Sequence, residues 1–178
     1  MIVLVGYATE HGSTQGVAQR IGERLRQHGL AVDVRSMAEV EDLTPYGMAV
    51  LGSAIHGGRW LTDGNEFVRR HTPRLRDLPV WFFSVSTLGD EDSMFPPGVA
   101  SRLRRLRKDT PEITAFRETV GPREHCNFTG AIARDDWPTP GRLAFRAMGG
   151  RYGDHRNWPA IDAWAEHIAL EASTTVSF

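Results

Sequence analysis

At 178 residues and 19.9 kDa, with 40% hydrophobic and 24% charged residues, the chain has the size and make-up of one domain with a full core. Its 21 Lys and Arg against 22 Asp and Glu give a net charge of -1, which leaves no global field for nucleic acid, so any polar partner has to be read locally. The single cysteine, Cys126, excludes an internal disulfide and the paired thiols of zinc ribbons, iron-sulfur clusters and CxxC motifs, and it fits a reducing, cytoplasmic compartment.

Residues 2–5 are an apolar, β-branched run that reads as a strand and not a leader, since no positive charge precedes it and no small-residue cleavage site follows. A polar loop comes next, then Val17, Ala18, Ile21 and Leu25 at helical spacing as far as Gly29. Residues 30–35 alternate apolar and polar, as a strand with one less buried face does. The run 48–52 is apolar throughout, and 79–85, with Val80, Trp81, Phe82, Phe83 and Val85, is of the same kind, as expected of central parallel strands covered on both faces. Helical patterns over 66–75 and 99–107 follow these two strands. The stretch 126–132 is left to complete the sheet, with a short extended piece expected at 113–116. Thr139 as N-cap and Pro140 behind it announce a helix that stops near Gly149 and Gly150. A last helix begins around 157–159 with Ile161, Trp164, Ala165 and Ile168 on one face. Residues 172–178 read as a loose tail behind a domain of 1–171. No run approaches the length that spans a bilayer, while attachment to the inner face of a membrane stays open. Strands alternating with helices in this way imply right-handed crossovers and a doubly wound parallel sheet, whose ligand crevice lies at the strand carboxyl ends.

Three loops at that edge carry the chemistry. The first holds Thr9, Glu10, His11, Gly12, Ser13 and Thr14, whose backbone N–H groups and hydroxyls converge on an anion at a helix N-terminus. The spacing from Gly6 to Gly12 is wrong for a Walker A motif, no Lys follows, and GxGxxG is absent. Hydroxyls without Lys or Arg suit a phosphomonoester held by neutral donors and the helix dipole; the alternative is an ordinary turn whose Ser and Thr cap the helix.

The pattern Thr-x-x-Gly-x-Thr from Thr9 to Thr14, directly after the first strand, resembles the FMN phosphate loop of flavodoxins. The run Leu51, Gly52, Ser53, Ala54, Ile55, His56, Gly57, Gly58, Arg59 and Trp60, with Glu66, Phe67 and Val68 behind it, is similar to a stretch of the menaquinone-dependent protoporphyrinogen IX dehydrogenases, which are flavodoxin-like. Similarity continues through 82–85 and 129–132 to the final helix. The resemblance implies a flavodoxin-like α/β sandwich with a five-stranded parallel sheet in the order 2-1-3-4-5, FMN as cofactor, and chemistry carried by the flavin without a catalytic side chain. It further implies a quinone or redox protein as electron partner and a porphyrinogen as candidate substrate.

Under that resemblance Ser53, Ala54, Ile55, His56, Gly57, Gly58 and Trp60 form a second loop beside the phosphate loop, where a flat ring would lie. Gly57 and Gly58 free a peptide to turn its carbonyl toward or away from a flavin nitrogen that gains a proton on reduction. Trp60 or His56 is placed to stack on the ring, or Trp60 packs beneath the loop. The third loop, with Ser86, Thr87, Leu88, Gly89 and Asp92, would offer backbone donors to the ring oxygens. Its carboxylates, Asp90, Glu91 and Asp92, either disfavour an anionic reduced flavin or are solvated.

Arg102, Arg104, Arg105, Arg107 and Lys108 make a basic helix face, either solvated or able to dock an acidic partner, propionates or anionic lipid. The seven histidines show no HxxxH or HExxH pair, so no metal site is expected. Cys126 reads as strand packing. The expectation is an FMN-dependent oxidoreductase. The alternatives are an electron-carrier flavodoxin without a small-molecule substrate, and a cofactor-free binding module, which His11 and Glu10 encourage because a carboxylate aimed at a phosphate repels it.

Overall fold

Order in this chain begins with the β-branched runs, whose alternate side chains must be buried on two faces at once. In the computed structural model, which describes residues 2–136 and 139–175, they form β1 (Ile2–Ala8), β2 (Ala31–Ser36), β3 (Tyr46–His56), β5 (Val80–Ser86) and β6 (Glu124–Thr129). These five are parallel in the order β2-β1-β3-β5-β6, which is the expected 2-1-3-4-5 once the two-residue β4 (Arg59–Trp60) is set aside as the return arm of a hairpin on β3. The remaining elements are α1 (Ser13–Gln27), α2 (Thr62–Leu75), α3 (Pro97–Leu106), α4 (Pro111–Thr119), β7 (Ala131–Ile132), α5 (Thr139–Ala147), β8 (Gly153–Asp154) and α6 (Trp158–Thr175).

Alternation along the strands divides the core. Val3, Val5, Val50, Trp81, Phe83 and Phe128 point to one face, against Val17, Ile21 and Leu25 of α1 and Ile161, Trp164 and Ile168 of α6. Leu4, Ala49, Leu51 and Phe82 point to the other, against Phe67 and Val68 of α2 and Ile113 and Phe116 of α4. Arg20 fastens α1 to α6 by a two-pronged pair with Asp162 at 2.6 and 2.7 Å, joined by Arg24 at 2.9 Å. These guanidinium bonds, offset in part by burial, hold the Asp162 carboxyl below its ordinary range. At the centre of the sheet Gly52 sits opposite Phe83, and the missing Cβ makes room for the ring.

Four expectations change. Residues 113–116 are helical, not extended: Thr110 accepts a hydrogen bond from the Ile113 amide and Pro111 starts the helix, and this cap outweighs the β-branched pair that follows. The stretch 126–132 breaks at Gly130, after which β7 leaves the sheet to pair with β8. The second loop is mostly strand, since β3 runs on to His56. Residues 172–175 continue α6, and Ala172 is buried in the core, so the tail does not begin there. The residues just before α5 lie outside those described, and the helix itself starts at Thr139. Among the described residues no helix is long and apolar enough to cross a membrane.

Candidate functional site

The three loops meet at the carboxyl ends of β1, β3 and β5, around a slot bordered by the start of α1. Gly12 takes φ 82° ahead of that helix, a conformation that suits glycine, and among the described residues no side chain caps the first turn. Two of the three hydroxyls are occupied by the protein. Thr9 Oγ1 accepts from the Gly12 amide at 3.0 Å, and Ser13 Oγ accepts from the Ala131 amide at 2.8 Å. Gly130 permits this last approach, because a Cβ there would lie 2.7 Å from Ser13 Oγ. Thr14 is fully buried, and its hydroxyl has no hydrogen-bond partner among the described residues. A buried hydroxyl left unpaired beside uncapped helix amides is the arrangement an incoming anion completes.

Thr9, Glu10, His11, Ser13, Thr14, Ala54, Ile55, His56, Ser86 and Thr87 all line the slot. Val85, Met94, Gly130, Ala131, Ile132 and Asp136 line it as well and were not singled out from the sequence. For Gly130, Ala131 and Ile132 the signal is the placement of 129–132 at the end of the last strand, at the same edge as the other three loops.

The other expected site residues lie elsewhere. Gly12 borders a neighbouring groove with Tyr152 and Arg156. Ser53 is buried, its hydroxyl accepting from the Leu61 amide at 3.0 Å and donating to the Ala54 carbonyl at 2.9 Å. Gly57 and Gly58, at φ 58° and 77°, form the two-residue turn of the β3–β4 hairpin, away from the slot lining. Trp60 is 4% exposed, edge-on to Phe82 and Phe116 at 5.5 Å each, and so is not available to stack on a ring in the slot. Leu88 and Gly89 are buried against β6.

The third-loop acids face away as well. Asp90 accepts from the Asn127 amide at 2.7 Å and pairs with Arg107; burial works against its charge, but these bonds outweigh it and hold the carboxyl below its ordinary range. The Asp92 side chain meets Asn157, and its carbonyl accepts from Thr129 Oγ1 at 2.7 Å. Asp90, Glu91 and Asp92 thus border a cavity beside β6 and α6, together with Cys126, whose thiol burial pushes well above its ordinary pKa. Two members of the basic face turn inward to brace the same loop: Arg104 Nε donates to the Gly89 carbonyl at 3.0 Å and Arg107 to the Leu88 carbonyl at 3.1 Å.

Charge at the slot rim is arranged in a line. His56 Nδ1 donates to Glu10 Oε2 at 2.7 Å, His11 Nε2 lies 4.0 Å from that same oxygen, and His11 Nδ1 lies 3.8 Å from Asp136 Oδ1. Glu10 therefore spends its charge across the loop gap on His56.

The hairpin that carries His56 is pinned from below. Glu112 of α4, with a side chain 2% exposed, sits 2.7 Å from the Arg59 guanidinium and accepts from the Trp60 amide at 3.3 Å. Replacing Glu112 by Ala strands the buried Trp60 amide, while the exposed Arg59 guanidinium returns to water; we expect a loss of about 1–3 kcal/mol in urea unfolding and faster hydrogen exchange at the Trp60 amide.

Beneath Trp60 a polar chain crosses the core. Trp60 Nε1 donates to Ser84 Oγ at 2.8 Å, and the Ser84 hydroxyl donates to His125 Nε2 at 2.8 Å, which leaves the His125 proton on Nδ1, 3.9 Å from Asp109. Burial pushes His125 from 6.5 down to about 4. The unfolded chain therefore binds this proton before the folded one does. The stability involved is complete above about pH 6.5 and is lost as pH falls toward 4, on the order of 3 kcal/mol. Melting temperature followed over that window should fall in the native protein and flatten in His125→Gln.

The sequence model of the flavodoxin domain family matches residues 4–148. Protoporphyrinogen IX dehydrogenase (quinone) of Escherichia coli K12 is 27% identical over 108 residues, which is 60% of this chain and 60% of that protein, so the match spans less than two thirds of the relative. Among solved structures, rubredoxin oxygen:oxidoreductase of Desulfovibrio gigas superposes with a TM-score of 0.64 at 12% identity, over 99% of this chain and 37% of that one. The flavodoxin of Streptococcus pneumoniae TIGR4 gives 0.58 at 13% identity, over 96% and 99%. Fold and sequence model agree, and the chain belongs to the flavodoxin domain family.

Proposed function

We propose that the protein binds FMN in the slot at the start of α1 and works as an FMN-dependent oxidoreductase, passing electrons between a porphyrinogen-type substrate and a quinone or redox protein. The observation that carries this reading is the buried, unpartnered Thr14 hydroxyl beside the uncapped first turn of α1. When bound, FMN supplies a ring able to take up two electrons and a proton. The chain's own part is to hold and surround it. The first-turn amides and Thr14 hold the phosphate without a cationic side chain, with Ser13 and Ala131 fixing the loop from the other side. Ala54, Ile55 and Met94 give the slot apolar walls that exclude water, and Ser86 and Thr87 border it from the third loop. At its rim His56 holds a proton on Nδ1, shared with Glu10. The pairing of Glu10 with His56 supports this reading over the cofactor-free alternative, because the imidazole N–H draws the carboxylate toward itself. The name of the Escherichia coli relative supports the substrate class and the quinone.

The test is an absorption spectrum of the purified protein, followed by titration of the stripped protein with FMN and, in parallel, FAD. Flavin bands and saturable, FMN-selective binding are expected. A colourless protein that binds neither removes the reading. Bound FMN without protoporphyrinogen turnover in the presence of menaquinone, but with fast exchange with a reductase, makes the protein an electron carrier.

A further inference from the structure

Helix α5 buries one side chain. Among its described residues only Phe145 is enclosed, while Leu143, two positions earlier, is 68% exposed. The Phe145 ring is fully buried between Phe95 and Tyr152, at centroid distances of 5.3 and 5.1 Å, and against Met94 and Ile132. Gly150 completes the socket, since a Cβ there would lie 2.6 Å from the ring. This cluster is separate from the two cores that flank the sheet. A helix attached through so little apolar area belongs to the low-stability end of a fold. The socket, by contrast, is held by main chain: the Arg151 amide donates to the Met94 carbonyl at 3.0 Å, the His155 amide donates to the Gly130 carbonyl at 3.1 Å, and β7 pairs with β8.

Two features connect the socket to the slot. Met94 and Ile132 also line the slot, so one layer of side chains separates the Phe145 ring from it. Tyr152 borders the adjoining groove, which shares Ser13, Ala131 and Ile132 with the slot. The Tyr152 hydroxyl is buried and finds no hydrogen-bond partner among the described residues. A buried phenol ordinarily has one, and its lack costs free energy that an arriving acceptor recovers.

We propose that Phe145 is a displaceable plug, and that its socket receives a flat apolar ring carrying a carbonyl oxygen that accepts from the Tyr152 hydroxyl. Aromatic, aliphatic and thioether walls with one donor suit a quinone and give no counter-ion to an ionised substrate. The choice of a quinone rests on the proposed redox function, because the socket lies one side chain from the slot; the plug itself does not rest on flavin. A ligand that must first evict Phe145 binds with its intrinsic affinity reduced by the fraction of molecules whose socket is open. Truncating this buried ring therefore tightens binding, the opposite of what loss of a wall residue does.

Binding of dimethylnaphthoquinone, whose quinone ring is fully substituted and does not add thiols, is measured by equilibrium dialysis on the full-length protein as purified. Dimethylnaphthalene, the same rings without carbonyls, is run beside it. The native protein should bind the quinone saturably, and Phe145→Ala should bind it about ten- to a hundred-fold more tightly. Tyr152→Phe should weaken the quinone about three- to ten-fold and leave the naphthalene unchanged. Melting curves show which variants are folded, and hydrogen exchange on the native protein needs no variant: the quinone should speed exchange at the α5 amides while those of β5 and β6 stay protected. No saturable binding, a folded Phe145→Ala protein that binds no more tightly, a naphthalene that loses as much as the quinone in Tyr152→Phe, or α5 amides that slow on binding overturns the proposal. Added FMN separates the two readings. Quinone binding that FMN abolishes puts the ring in the slot and overturns the plug, whereas a protein that takes up no FMN but shows the expected pattern keeps the socket and loses the redox function.

Discussion

Thr14→Val is expected to weaken FMN binding by about 10–100-fold while making the flavin-free protein more stable by about 1 kcal/mol. The two signs have one cause. The Thr14 hydroxyl is fully buried and unpaired; an unpaired buried polar group costs about 1–3 kcal/mol, so an isosteric methyl relieves the empty protein. The same methyl removes a hydrogen bond to an ionised phosphate, worth about 1.5–3 kcal/mol. Calorimetric titration with FMN and urea unfolding of the stripped protein measure the two sides. If Val destabilised the empty protein and left FMN affinity unchanged, the hydroxyl would be a packing group and the phosphate would have to sit elsewhere.

Gly52→Ala should unfold much of the protein's stability margin, by about 3 kcal/mol or more. A Cβ on Gly52 would fall 2.1–2.3 Å from three ring atoms of Phe83. That ring is fully buried and hemmed in by Trp164 and Phe128, at centroid distances of 6.1 and 6.3 Å. It cannot swing aside without displacing α6. The double substitution Gly52→Ala, Phe83→Leu should recover more than half of the loss, because the shorter side chain vacates the contested space; Phe83→Leu alone should cost about 1–2 kcal/mol as a cavity. Urea denaturation of the four proteins gives the coupling directly. A single substitution at Gly52 that proves harmless would show that β3 and β5 are free to separate.

The sheet and its order were readable because largely apolar runs such as 79–85 have few other homes, and the place of the Thr9–Thr14 loop at the slot because it lies between a strand and a helix. Where the reading failed, tertiary context had overridden local pattern. Ile113 and Thr114 favour a strand by propensity, yet Thr110 and Pro111 start a helix whose Glu112 is needed under the hairpin. Trp60 reads as well for stacking as for packing, and only the position of Ser84 and Phe116 across the core decides it. The acids after β5 looked like neighbours of the slot in sequence order, but Arg107 and the Asn127 amide draw Asp90 the other way. Met94 and Asp136 were missed because each comes to the slot from a segment whose own pattern carries no ligand signature.

The Ser13–Ala131 bond joins residues 118 positions apart, and that separation sets an order of assembly. While the polypeptide is being synthesised, β1 and the start of α1 emerge early, but the wall behind their first turn is not yet made. Completion of the slot must therefore wait until translation has passed β6 and Gly130. The face of the sheet that α6 covers waits longer still. Until residues 158–175 have been added, only α1 covers that face, and the part that meets α6, Phe83 beside Trp164 included, stays open in the growing chain.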